Sequence, residues 1–148
     1  MKTVIIFDSG NKDEIELLRY LEECNINSDD CNKFDINTKE PMHILFGKLQ
    51  GENADLIISI NANAFSFVTE LGNCSLNSLP SKVIHLIESK AALAKIPPHS
   101  ILSLSHYVVI KHEFETEFRE NNPDISNVSG YTDNPAECMR FAMKELWL

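Results

Sequence analysis

Four short polar runs each follow an apolar stretch, and they hold the residue types that could do chemistry. They are Asp8-Ser9-Gly10-Asn11, then Asn61 with Asn63, then Glu88-Ser89-Lys90, then Lys111-His112-Glu113. Together they offer amides, carboxylates and one or two cations, a set that suits a ligand with many hydroxyls, such as a sugar. The same polarity is also what water-facing loops carry. The first run precedes a helical pattern and could turn backbone N–H groups toward an anion. It has one glycine, however, not the three of a dinucleotide fingerprint, and no Gly-Lys-Ser/Thr of a P-loop. Lys12-Asp13-Glu14 then puts two carboxylates into the first helical turn, where they satisfy the helix dipole themselves and repel a phosphate.

Other chemistries find less support. His85 and Glu88 are three apart on a strand pattern and point to opposite faces, so they do not chelate one ion. His106 and His112 share a face but lie roughly 20 Å apart by strand rise. Cys24, Cys31, Cys74 and Cys138 lack zinc-site spacing and read as buried or half-buried thiols. No Gly-x-Ser-x-Gly occurs. The residues call for no metal and no cofactor.

The elements that must position these residues alternate. Thr3–Phe7 reads as a central parallel strand, β-branched and continuously apolar. A helix follows with Ile15, Leu18 and Leu21 inward and Glu14, Glu16, Arg19, Glu22 and Glu23 mostly outward. Asn25–Asn32 reads as a polar loop and Lys33–Ile36 as a short edge strand. Met42, Leu45, Phe46 and Leu49 mark a second helix, with Pro41 in its first turn and Gly51 at its end. Asp55–Ile60, Lys82–Ile87 and Tyr107–Ile110 are further buried strands. Helical segments are expected at Ala62–Leu71, Ala91–Lys95 and Glu113–Glu120, and a last short strand at Ile125–Val128. Asn134, Pro135 and Glu137 specify the start of a final helix. Its apolar stripe is Met139, Ala142, Met143, Leu146 and Trp147. Such alternation predicts one α/β domain over residues 1–148: a three-layer Rossmann-like or flavodoxin-like open, mainly parallel sheet with helices on both faces.

Length and charge agree with that. At 148 residues a chain buries roughly 70% of the surface it exposes when unfolded, so a full core forms without staples. Thirteen basic against 22 acidic residues give a net charge of −9. That disfavours nucleic acid, which needs a basic face, and contact with anionic lipid. No apolar run reaches 18 residues, and none near the start fits a signal-peptide core, so the expected location is the cytoplasm.

The order of segments resembles the N-terminal, acceptor-binding half of GT-B glycosyltransferases. It is most like the peptidoglycan N-acetylglucosaminyltransferase and the small acceptor-side subunit of split UDP-N-acetylglucosamine transferases. Four segments carry the resemblance: Ala54-Asp-Leu-Ile-Ile-Ser-Ile-Asn61, Lys82-Val-Ile-His-Leu-Ile-Glu-Ser89, His106-Tyr-Val-Val-Ile-Lys-His-Glu113 and Val128-Ser-Gly-Tyr-Thr-Asp-Asn-Pro135. The family's first loop has a second glycine and a histidine that Asp8–Asn11 lacks. The resemblance implies a subunit of a hexosyltransferase that moves sugar from a UDP-sugar to an acceptor hydroxyl. It implies Asp8 as the stand-in base, since an oxygen nucleophile needs a proton acceptor in reach. Ser9, Gly10, Asn11, Asn61, Asn63, Glu88, Ser89, Lys111 and His112 would contact substrate. A separate donor-binding subunit would be the partner, and a homo-oligomer is left open. Two other readings compete. A receiver-like interaction domain fits the early Phe7-Asp8, but Ser59, Ile60 and Asn61 occupy the place of its phospho-acceptor aspartate. A flavodoxin-like module fits Ser9-Gly10-Asn11, without the threonines of an FMN phosphate loop.

Overall fold

The strands form where β-branched and other large apolar residues run without interruption, because such runs are buried on both sides. In the computed structural model, which describes residues 1–26, 30–69, 80–100, 102 and 105–147, six strands alternate with six helices. They are β1 (Lys2–Phe7), α1 (Lys12–Glu23), β2 (Asp30–Asp35), α2 (Met42–Gly51), β3 (Leu56–Ile60), α3 (Asn63–Thr69), β4 (Lys82–Ile87), α4 (Lys90–Leu93), β5 (His106–Lys111), α5 (His112–Asn121), β6 (Val128–Tyr131) and α6 (Ala136–Trp147). All strand pairs are parallel, in the order β2-β1-β3-β4-β5-β6. The expected open parallel α/β sheet is therefore present, with no antiparallel pair among the described strands.

Right-handed crossovers explain the layers. The chain steps from β1 to β2 in one direction and from β2 onward in the other, so the connecting helices change sides. One face carries α1 and α6, whose Leu17, Leu18, Leu21, Met139, Ala142 and Leu146 pack on Ile5, Ile58, Ile84 and Val109. The other carries α2 and α3 over Val4, Ile6, Ile57 and Val83, and α4 and α5 over Ile87, Val108 and Ile110. The direction changes between β1 and β3, which is the topological switch point. No described helix is long and apolar enough to cross a membrane.

Several expectations need correction. Glu14 does not face water: it is 2% exposed, because its carboxylate finds partners inside. β2 starts at Asp30, not Lys33, taking backbone pairs with β1 from its first residue. Its exposed Asp30, Asn32 and Lys33 suit an edge strand. α2 does end at Gly51 as expected; the left-handed residue beyond it is Asn53 (φ 50°), and asparagine tolerates that conformation. The last strand runs over Val128–Tyr131, not Ile125–Val128. Ile125 instead closes a turn, its N–H donating to the Asn122 carbonyl. Trp147 leaves the buried stripe of α6 and is 43% exposed, with the Lys82 ammonium 4.4 Å from its ring centre. Cys24, Cys31 and Cys138 are half-buried thiols in no disulfide, as expected, and Cys74 lies outside the described residues.

Candidate functional site

In open α/β sheets ligands bind beyond the carboxyl ends of the strands, usually at the switch point. Here the chain fills that place itself. Asn11 caps α1, its side-chain oxygen accepting the Asp13 N–H at 3.0 Å. Glu14, three residues past the cap, folds its carboxylate back into the crevice. It accepts the Asp8 N–H at 2.9 Å and the Asn63 side-chain amide at 2.5 Å. Asn11 donates its amide to the second carboxylate oxygen at 3.3 Å. Lys95 closes the network from the far side, donating to the Asn63 oxygen at 2.5 Å. Burial raises the Glu14 carboxyl above its ordinary range, against the pull of the Asp8 N–H, Asn63 and Lys95.

The turn before α1 has few donors left for an anion. The Ser9 N–H goes to the Asp35 carboxylate, the Gly10 N–H to Asp8 Oδ1 and the Asn11 N–H to the Asp8 carbonyl. The Ser9 hydroxyl accepts from the Asn37 amide. Burial pushes the Asp35 carboxyl up, but bonds from the Ser9 side chain and from the Asn37 and Ser9 N–H groups outweigh it, and the net shift is downward. A phosphate would have to displace the chain's own carboxylates.

The β3–α3 corner holds the other side of the crevice. Asn61 and Ala62 are both left-handed, with φ 54° and 57°, a conformation that costs about 1–2 kcal/mol for each side-chain-bearing residue. Three bonds hold it. The Asn61 N–H donates to the Leu86 carbonyl at 2.6 Å, Asn61 Oδ1 accepts the Glu88 N–H at 3.1 Å, and Ser59 Oγ accepts the Ala64 N–H at 2.9 Å. Asn61 and Asn63 are therefore buried struts, 3% and 0% exposed.

The open space lies one step along the same edge. A cleft of about 550 Å³ runs between α1 and the β6–α6 corner, within the range of about 300–1,000 Å³ usual for small-molecule sites. Helix α1 contributes Asp13, Glu16, Leu17 and Tyr20, which recur at helical spacing along one stripe. The strand ends contribute Glu88, Ser89, Lys111 and Tyr131, and the last turn Thr132, Asp133 and Pro135. The Tyr20 hydroxyl donates to Asn134, whose oxygen also caps α6 through the Ala136 N–H at 2.8 Å, so the two walls are tied together.

Four carboxylates face one ammonium here. Lys111 is itself paired with Glu113 at 3.2 Å. Burial raises the Glu88 carboxyl, with further repulsion from Asp13 and Glu14, against the pull of Asn61 and Lys111. Tyr131 is 8% exposed, and burial, then Glu88, then Cys138 push its phenol up, so it stays a neutral donor.

Of the residues expected at the site, Glu88, Ser89 and Lys111 come together in this cleft. Ser89 also caps α4, accepting the Ala92 N–H at 3.1 Å. Asp8, Ser9, Gly10 and Asn11 form the turn before α1 and are not among the cleft's lining residues, so Asp8 and Glu88 do not share it. His112 stands on the first turn of α5, largely exposed and 3.5 Å from Glu115. Sequence reasoning missed Tyr131, Thr132 and Asp133 because β6 was placed three residues early. It also missed a pair the strand register creates: His85 and His106 meet on the other face, Nε2 to Nδ1 at 3.1 Å, against Phe65. Among the described residues no cluster of three or more His, Cys, Asp or Glu could hold a metal ion.

Comparison with family models, with curated proteins and with solved structures finds no match. What stands is the fold itself, a six-stranded parallel Rossmann-like sheet. The four segments of the sequence resemblance fall on β3, β4, β5 and β6 with the turns that follow them.

Proposed function

We propose that this chain is a binding domain for a polyhydroxylated acceptor, the acceptor-side half of a glycosyl-transfer pair whose donor half is a separate chain. The observation that carries the reading is the cleft between α1 and the β6–α6 corner, with its hydroxyls, carboxylates and single ammonium. Leu17, Tyr20, Tyr131 and Pro135 give it apolar and aromatic walls for the C–H face of a sugar ring, and the polar groups match its hydroxyls. The crowd of carboxylates disfavours a nucleoside diphosphate there. That is why the reading assigns the donor to another chain. If transfer occurs at this edge, Glu88 is better placed than Asp8 to accept the proton of an acceptor hydroxyl, because Glu88 lines the cleft and Asp8 does not.

An isotope-labelled sample titrated with neutral monosaccharides tests the reading. Amide shifts are expected to concentrate on Glu88, Ser89, Tyr131 and Thr132, with none there from UDP alone. Shifts confined to other surfaces, or a cleft response to UDP equal to that to sugar, would overturn it.

A further inference from the structure

The cleft's charge and one spare donor on a largely buried side chain narrow the ligand further. Asp13, Glu16, Glu88 and Asp133 stand against Lys111 alone, and Lys111 is shared with Glu113. Carboxylates this close repel one another, which a bound cation relieves. The second observation is Tyr131. Its residue is more than nine-tenths buried yet lines the cleft, and its hydroxyl makes no hydrogen bond among the described residues. The hydroxyl is not among the buried polar atoms left without a partner, so it opens on the cleft, where a ligand acceptor can take its hydrogen bond. A metal ion is the poorer candidate, since it needs several ligating groups converging on one point and the described residues supply none such.

We propose that the ligand of this cleft carries a protonated amine on a polyhydroxylated frame. Its ammonium sits against Glu88 and Asp13, and one of its oxygens accepts the Tyr131 hydroxyl. The inference rests on the reading of the cleft as a seat for a hydroxylated ligand and adds the charge. Leu17 and Tyr20 on the α1 wall and Pro135 on the opposite wall would face the frame. A charge-assisted hydrogen bond supplies the selectivity.

Calorimetric and NMR titrations of the full chain with glucosamine and with glucose, at low salt and at about pH 6.5 where the amine is protonated, test it. Glucosamine is expected to bind at least about tenfold more tightly, the factor that one charge-assisted bond supplies, with shifts at Glu88, Ser89, Tyr131 and Thr132. Glu88→Gln should remove that preference, lowering glucosamine affinity to that of glucose measured on the same variant. Tyr131→Phe should weaken both sugars alike. Equal affinity for the two sugars at the cleft would overturn the amine and leave the hydroxylated-ligand reading standing. No cleft response to either would overturn both.

Discussion

Glu14 shows how far a residue's role can depart from its type. In the sequence it is one of a run of exposed-looking helix acids. In the fold it ties the Asp8 backbone, Asn11 and Asn63 together at the base of the switch point. Replacing it with alanine would leave the Asp8 N–H and the Asn63 amide without their acceptor. Glu14→Ala should therefore cost about 2–3 kcal/mol of unfolding free energy, read as a lower urea midpoint with an unchanged slope. The buried histidines belong to the same scale. His85 Nδ1 has no partner, and an unpaired buried N–H is worse than an unpaired lone pair. His85 therefore donates from Nε2 to His106 Nδ1 and keeps Nδ1 bare. Burial holds both rings neutral, His85 far below its ordinary value and His106 at about 4. An unfolded histidine takes its proton near pH 6.5. Between those values the unfolded chain binds more protons, so stability is full above about 6.5 and is lost as pH falls toward 4. For His106 alone that is on the order of 3 kcal/mol. Glu14 and Glu88 act in the opposite sense, their raised carboxyls withdrawing stability as pH rises past the ordinary glutamate range. The fully buried histidine pair should dominate. Urea unfolding at pH 4.5 is expected to give a lower midpoint than at pH 7, and the opposite order would contradict the neutral pair.

Elements were legible where local chemistry decided them. β1, β3, β4 and β5 follow from apolar runs too long to face water, and α6 from its cap. Asn134 holds that cap with one oxygen that also receives the Tyr20 hydroxyl. Asn134→Ala should cost about 1 kcal/mol from the cap, and it frees Tyr20 from the α6 corner. The measurable result is a lowered melting temperature together with faster exchange at the Ala136 amide. Gly130 offers a contrasting test. A Cβ there would stand 1.9 Å from a Glu115 carboxylate oxygen. The carboxylate is the free end of a flexible side chain on α5, and its pairs with Arg119 and His112 lie near the surface. Such pairs contribute little, so Gly130→Ala should cost less than about 1 kcal/mol, with the loss showing as a broken Arg119–Glu115 pair while Arg119 keeps its bond to the Val128 carbonyl. β6 was harder to place because Ile125 looked like strand material, while Ser129 and Gly130 did not. Its true bounds follow from pairing with β5, which runs from Val108–Val128 to Lys111–Tyr131. No single stretch of sequence contains that register.

At the scale of the whole molecule, the switch point is closed and the adjoining edge is open. α1 and α6 share one face, and the cleft opens between α1, the ends of β4, β5 and β6 and the turn that leads into α6. The net charge of −9 is expressed there as four carboxylates around one lysine. Inorganic phosphate up to millimolar concentration is accordingly expected to leave the resonances of Glu88 and Tyr131 in place. A saturable phosphate shift at the Asp8–Asn11 turn would show that the Glu14 carboxylate yields to an external anion. Sequence alone determined the alternation of strands and helices, the parallel sheet, the α6 cap and the acidic balance. Each of these is set by residues within a few positions of one another or by composition. Tertiary structure decided which polar residues are free. Glu14, Asn61 and Asn63 look available in sequence and are consumed by partners as many as 49 residues away. Tyr131 looks like core and yet lines the cleft. Hydrogen-bond partnership across strands is a property of register and crossover handedness, and those exist only once the sheet has formed.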